Sequence, residues 1–498
     1  MKLEDIFKDY GRIDLMSECI STEKTYSLRD YQSLWLSWYR GNVKKFHHYK
    51  VYNGQKNIHV RRKTLGMAKA GCEDWASLLF NEKTNITLSD AATQTILDDI
   101  FKANKFWNMA NQGIEKAFAL GMGAFVVRVD GLDYEQDTQQ LHTDGAKVKI
   151  EFVNATKIYP FTIDDSEIIE CAFVTKRGRK VYITMHLINE QTGNYEIYNI
   201  TADRDKSGNI SYDEHKDLYV FDTQSPKKWF QILKPNIANN IEPDSPLGIS
   251  VFANAIDDLE TCDIIYDSFG NEYQYGRKRV YASAEALTVN AEDGSTRVTF
   301  DPNDVVFYSL PQGTAIGAND KPFVQESTGE LRVDAFDKGI NKALDIYSKK
   351  IGLGENFYRF EGGSITTATQ VISENSSTFR TVKKHEILIE EVLISLIKTI
   401  LYAVNKFTPQ TVNEDTDITV QFDDSIIEDK ATERTRDAQE VRDGLMEPWE
   451  FRVKWYGMSE QDAKNWQAEH EAKQRSSSTL YDAYNMFGNG GKGEGVNT

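Results

Sequence analysis

The chain has 498 residues, of which 40% are hydrophobic and 27% charged; this is ordinary globular composition, with length enough for several packed units. Its 58 Lys and Arg stand against 76 Asp and Glu, a formal net charge of -18, which excludes a general binder of nucleic acid or anionic membrane and leaves any DNA contact local or weak. The cysteines, Cys19, Cys72, Cys171 and Cys262, lie far apart without CxxC or Cys/His spacing and read as reduced thiols rather than a zinc site or disulfide framework.

The N-terminus, MKLEDIFKDYGRIDL, mixes acids into its apolar positions and has no signal-peptide core, and no window has the apolar length of a membrane span. The expectation is a chain made in the cytoplasm. From Ser27 to Phe46 aromatic residues dominate, and helical patterns follow near Leu65 to Phe80 and Ala91 to Phe118, together a helical first layer. Strand-like runs come next: Ala124 to Val129, Val148 to Val153, Ile168 to Thr175, Val181 to Ile188, Tyr195 to Ile200 and Leu218 to Phe221. Their alternation and Gly, Asp or Asn boundaries predict one antiparallel meander.

At Ser245 the texture changes. Ser245 is placed to cap, Pro246 sits at a first helical position, and apolar residues from Ile249 to Tyr273 recur at three-and-four spacing with breaks at Asp263 and Gly270, predicting a long helix. Short strands follow in KRVYASAEALTV, RVTF and VVFYSL. Ser327 and Glu330 form a capping-box pattern ahead of a second long helix with Val333, Phe336, Ile340, Leu344, Tyr347 and Ile351 on one face, ended by Gly352 and Gly354. Two long helices therefore bracket a small β module. After GLGENFYRFEGGS comes a further helix whose first half, Gly362 to His385, is polar, and whose second half carries the stripe Ile389, Val392, Leu393, Leu396, Ile397, Ile400 and Val404. The strand DITVQFDDS precedes charged helices to about Lys473, and a Ser- and Gly-rich tail closes the chain.

Few motifs point to chemistry. Asp203, Asp205, Ser207, Asn209 and Glu214, with Gly208, occupy the positions of an EF-hand calcium loop. The flanking NYEIYNITA and DLYVF are strand-like, so the competing reading is a hairpin tip. The acidic pairs Asp98-Asp99, Asp164-Asp165, Asp257-Asp258 and Asp423-Asp424 would suit a metal-dependent nuclease, but no His or third carboxylate accompanies them and caps or solvated faces explain them. The cluster His47-His48 has no nucleophile to serve, and nucleophile-elbow, HExxH and dinucleotide patterns are absent. No catalytic residue is assigned. Basic clusters at Arg61-Arg62-Lys63, at Lys176 to Lys180, at Arg277, Lys278 and Arg279, and at Lys338, Lys342, Lys349 and Lys350 read singly as solvated faces; those at the ends of the long helices are candidates for phosphate or partner contact.

The order SPLGISVFANAIDDLETCDIIYDSFGNEYQYGRKRVYA, β module, second long helix, GGSITTATQVISENSSTFRTVKKH and ITVQFDDSIIEDKATERTRDAQEVRDG resembles the portal proteins of tailed bacteriophages, in the siphophage and prophage lineage of Gram-positive hosts. EKAFALGMGAFVVRVD and TKIYPFTIDDSEIIECAFVTK support it, and the likeness covers roughly Leu65 to Lys473. The resemblance implies an α+β, ring-forming portal fold without enzymatic activity. Its parts would be an N-terminal helical region 1–64, a wing 65–244, a first stem helix 245–277, a clip 278–327, a second stem helix 328–351, a tunnel loop 352–365, a long wing helix with its following strand 366–430, helical crown 431–475 and tail 476–498.

The implied function is the DNA conduit at one capsid vertex, typically of twelve identical subunits. It would dock the terminase large subunit during packaging and the head-completion adaptor afterwards, and meet the major capsid and scaffolding proteins. Double-stranded DNA would pass through the channel, with no membrane and no obligatory cofactor. In the tunnel loop, Asn356, Phe357, Tyr358, Arg359, Glu361, Gly362 and Gly363 would face DNA, the glycines acting as a hinge. The competing reading is a calcium-binding virion structural protein or another head-neck connector.

Overall fold

Ser27 starts the first helical layer. Its amide and hydroxyl both donate to the Asp30 carboxylate at 2.9 Å, capping the helix Leu28–Tyr39. Helices Met67–Leu79, Ala91–Asn104 and Phe106–Leu120 follow; Asp90 caps the second of these by accepting from Thr93 N at 2.9 Å, and Gly121, at φ +84°, closes the third. The computed structural model describes residues 1–17, 19–21, 24–52, 56–81, 83–135, 140–164, 167–276, 279–283, 288–290, 296–298, 307–310, 324–327, 330–358, 368–422 and 430–470. They fall into two units, Met1–Gly363 with Ser376–Asp423, and Ser364–Asn375 with Asp424–Thr498; both helix and sheet contribute, and the fold is α+β.

The strand runs do not form one meander. Gly123–Asp130 sits between Lys147–Asn154 and Phe230–Leu233 in a three-stranded antiparallel sheet. Its residues 123–127 are buried in succession; the helix Phe106–Leu120 packs against the strand, and Val126 and Val127 border a cavity lined by Phe173, Ile183 and Ile197 of the larger sheet. Trp75, Phe101, Phe106, Ile114 and Phe118 share the main core with Ala124, Phe125 and Val127. The other strands, Ile158–Asp164, Glu167–Arg177, Lys180–Ile188 and Tyr195–Arg204, run in sequential antiparallel order, and Leu218–Asp222 and Ile210–Ser211 both pair with the last. The N-terminal helix Leu3–Asp9 buries Leu3, Ile6 and Phe7 in a second core with Phe161, Val174, Val181 and Ile183 of this sheet. Phe7 meets Phe161 edge-on at 4.8 Å.

The first long helix is Ile256–Tyr275, after a 3-10 turn at Ala253–Ala255, and so shorter than the expected span from Ser245. Residues 247–252 are held otherwise. Val251 N and Ser250 Oγ both donate to Phe118 O, at 2.9 and 3.2 Å, and the Gly248 backbone passes against Gly121 O. Leu247, Ile249 and Phe252 are buried by this crossing, so their helical spacing reflects tertiary contact. The second long helix, Val333–Lys350, begins at Arg332 without a side-chain cap; Ser327 ends a strand instead of capping. Between the two helices, Arg279–Ser283 lies parallel to Phe307–Leu310 and antiparallel to Val324–Ser327, with a separate hairpin Thr288–Asn290/Thr296–Val298.

Ala368–Phe407 is a helix of 40 residues, about 60 Å at 1.5 Å per residue. From Val382 to Val404 most of its apolar positions, Ile387 excepted, enter the main core. In the second unit, Glu447 and Glu450 cap the helix Pro448–Tyr456, and Asp437 of the helix Lys430–Asp443 accepts from Lys454 Nζ at 2.7 Å and Trp455 Nε1 at 2.9 Å. Residues 460–470 are helical, and Trp449 N donates to Gln467 at 3.0 Å.

Candidate functional site

The two long helices pack as an antiparallel pair. Arg332 forks onto Glu272 at 3.0 and 2.7 Å near the β module, Phe269 meets Phe336 at 5.8 Å, and at the other end Lys350 pairs with Asp258 at 2.5 Å. The two interruptions in the first helix's stripe have a shared cause. Asp263 is buried and accepts from His47 Nε2 at 2.9 Å, Leu65 N at 2.7 Å and Thr64 Oγ1 at 3.2 Å, while Asp267 accepts from Lys63 N at 3.0 Å. The Lys63 side chain fills the space where a Cβ on Gly270 would lie. Val43 N donates to His47 Nδ1 at 2.8 Å, so the ring proton sits on Nε2 and points at Asp263. The acid and the glycine thus bind the segment 63–65 to the helix. His47, given no role from sequence, is the ring that completes this clamp; the acid inside an apolar stripe was the only signal for it.

The loop after the second helix is anchored at several points. Trp75 Nε1 donates to Ile351 O at 3.1 Å, the Thr378 hydroxyl donates to Leu353 O, and Asn356 N donates to Asp345 at 3.2 Å. Asn356 adopts φ +68°. Tyr358 does not project as a loop tip: its hydroxyl donates to Asp74, its ring lies beside Phe357 and Tyr347, and burial together with Asp74 raises its pKa. Phe357 remains exposed. Arg359, Glu361, Gly362 and Gly363 lie outside the described residues.

The polar first half of the long helix, Gly362 to His385, is not polar-faced throughout where it is described, and the apolar half does not start at Ile387 as a buried stripe. Thr378 and His385 are buried whereas Ile387 is 58% exposed. His385 accepts from Asn236 N at 3.0 Å, stands edge-on to Trp75 and Phe118, and is kept neutral by burial, its pKa lowered to about 3. A hydroxyl and an imidazole can be buried here because each finds a backbone partner.

The basic candidates divide. Lys338 and Lys342 are exposed on the second long helix. Lys349 pairs with Glu355 at 2.6 Å and Lys350 with Asp258, which commits both to contacts within the chain. Arg279 lies in register with Ser327, while Arg277 and Lys278 lie outside the described residues. The calcium pattern lies on a hairpin, without an EF-hand's flanking helices. Asp203 belongs to a strand and pairs with Lys180 at 3.0 Å. Asp205 accepts from the Asn209 side chain at 3.0 Å and its backbone at 2.8 Å, which hold its carboxyl below the usual range. Ser207 and Gly208 form the turn, and Glu214 opens the short helix Glu214–Asp217. These residues do not fit a helix-flanked calcium loop, and among the described residues no group of three or more His, Cys, Asp or Glu gathers as a metal site. Cys72, Cys171 and Cys262 are free and buried.

Residues 20–476 match the family model described as "Phage portal protein, SPP1 Gp6-like". No curated protein matches the chain. Solved structures similar to it include a chain from the neck of the native gene transfer agent particle computed with C12 symmetry, at 10% identity and TM-score 0.40, covering 78% of this chain and 87% of that one. A chain from the virion of the native gene transfer agent particle, at 10% identity and TM-score 0.42, covers 90% and 97%. TM-scores this low leave these as likenesses only, and the family match alone carries weight.

Proposed function

The chain belongs to the phage portal protein family, SPP1 Gp6-like, and we propose that it forms the ring-shaped DNA conduit at one vertex of a tailed-phage capsid. The observation that carries this reading is the antiparallel pair Ile256–Tyr275 and Val333–Lys350 bracketing a small β module within a family match that spans most of the chain. The helical pair serves as the stem, the module 278–327 as the clip and residues 352–365 as the tunnel loop. The helices and sheets of 65–244 and the helix and strand within 366–430 form the wing, and the helices of 431–475 the crown. The clip docks the terminase large subunit and then the head-completion adaptor. Capsid and scaffolding proteins meet the outer parts of a ring of twelve subunits, and the phage is of the siphophage type with a Gram-positive host.

The electrostatics suit a conduit. Each phosphate neutralised by Lys or Arg adds to salt-dependent affinity, so a tube lined with bases would hold DNA in place. A net charge of -18, with Lys349 and Lys350 already paired, lets the duplex slide. Phe357 and the exposed Lys338 and Lys342 are the described residues available for brief contact. Electron microscopy of the purified chain tests this reading. Rings with a central hole of duplex width are expected; monomers persisting across protein and salt concentrations would refute it.

A further inference from the structure

Charge is unevenly spread along the chain. Between Tyr31 and Cys72 there is no Asp or Glu, and nine Lys and Arg; with -18 for the whole chain and +9 for this stretch, the remainder carries -27. At its centre lies the hairpin His48–Tyr52/Asn57–Arg61, a two-stranded sheet with no third strand among the described residues. The register pairs His48 with Arg61, Lys50 with His59, Tyr49 with Val60 and Val51 with Ile58. Because side chains alternate across a strand, one face carries His48, Lys50, His59 and Arg61 with Tyr52 and Asn57 at its outer end, and the other Tyr49, Val51, Ile58 and Val60.

Toward the root Tyr49 and Val60 are half-buried, but the outer part of both faces is open. Val51 is 44% exposed, Ile58 41%, and Lys50, His59 and Arg61 are exposed as well. An isolated two-stranded hairpin is marginal in water, yet the base of this one is firmly set. Arg62 N donates to His47 O at 2.8 Å, the Arg62 guanidinium stacks on Phe46 and Tyr49, and His47 is held by Asp263. A rigid root thus presents a ribbon that is basic on one side and apolar on the other.

We infer that this hairpin is an intersubunit arm that docks on the acidic surface of a second copy of the chain. Its basic face complements the -27 carried by the rest of each copy. Its apolar face, with Val51 and Ile58 opposite each other, suits a protein surface; a phosphate backbone offers nothing to cover it. Hairpin and acceptor are different surfaces, so the contact is heterologous, the kind that closes a ring. The inference rests on the portal reading.

The test uses the full chain and two variants on separate faces, Val51→Asp/Ile58→Asp and Lys50→Gln/Arg61→Gln, with folding checked by circular dichroism. Native mass spectrometry follows assembly against protein concentration. Each variant is expected to keep the wild-type spectrum and to need at least roughly tenfold more protein to assemble. Wild-type assembly should also weaken between about 0.1 M and about 1 M salt, where the screening length falls from about 10 to about 3 Å, and weaken less in the Gln variant. Folded variants that assemble at wild-type concentrations overturn the inference. If they assemble normally but lose retention of a linear DNA duplex, the hairpin is a nucleic-acid surface and the inference falls. A wild-type chain that forms no ring overturns the portal reading, and the inference with it.

Discussion

Replacing His186 with leucine should remove part of the protein's sensitivity to acid. His186 is fully buried in the strand Lys180–Ile188, with Phe173 and Phe230 edge-on to it at 5.4 and 5.3 Å. Neither ring nitrogen has a hydrogen-bond partner, and burial lowers its pKa from 6.5 to about 3. Unfolded, the same ring titrates near 6.5. Between those values the unfolded state binds a proton that the folded state refuses, so stability falls as pH drops below about 6.5 and continues to fall toward about 3. At pH 5 the cost is RT ln(1 + 10^1.5), about 2 kcal/mol, against about 0.2 kcal/mol at pH 7. Leucine binds no proton in either state and leaves no unpaired buried nitrogen. Urea unfolding of both proteins, followed by tryptophan fluorescence, should show their stability difference moving by about 2 kcal/mol in the variant's favour from pH 7 to pH 5. Carboxylates contribute equally to both proteins and cancel. A difference that stays constant across that interval would refute the buried neutral imidazole.

Two further substitutions probe the packing. Asp263→Ala strands the buried donors of His47 and Leu65 and should cost about 3 kcal/mol or more, read as a lower thermal midpoint; a loss under about 1 kcal/mol would mean that water replaces the carboxylate. The glycines separate by environment. A Cβ on Gly248 would lie 2.0 Å from Gly121 O, a backbone atom, whereas one on Gly339 in the helix Val333–Lys350 meets nothing within 4 Å. Gly248→Ala should therefore destabilise the fold in the same thermal assay, and Gly339→Ala should stabilise it by about 0.5–1 kcal/mol through helix propensity; similar effects at both sites would contradict the close approach.

The order of elements was legible because it depends on short-range periodicity. The stripe from Ile389 to Val404 predicts a helix and is one, and the runs KRVYASAEALTV and VVFYSL predict strands, of which Arg279–Ser283 and Phe307–Leu310 are strands. Such patterns report which side of an element is apolar, and local hydrogen bonding does the rest. They do not report what covers that side. Gly123–Asp130 alternates too little to be half-exposed, and only the distant segments packed around it explain why; Leu247, Ile249 and Phe252 imitate a helical face because they pack beneath residues more than a hundred positions earlier.

The candidate site was less legible, for the same reason. Tyr358 looks like an exposed aromatic until Asp74, 284 positions away, accepts its hydroxyl proton. Asp263 looks like an interruption until His47, 216 positions away, completes it. Sequence alone determined the net charge, the helix-module-helix order and the absence of familiar catalytic patterns, since these are local or additive properties of the chain. Only the tertiary structure decided which polar groups are buried and with what partners. That depends on desolvation, and desolvation is set by whatever distant segment arrives to exclude water.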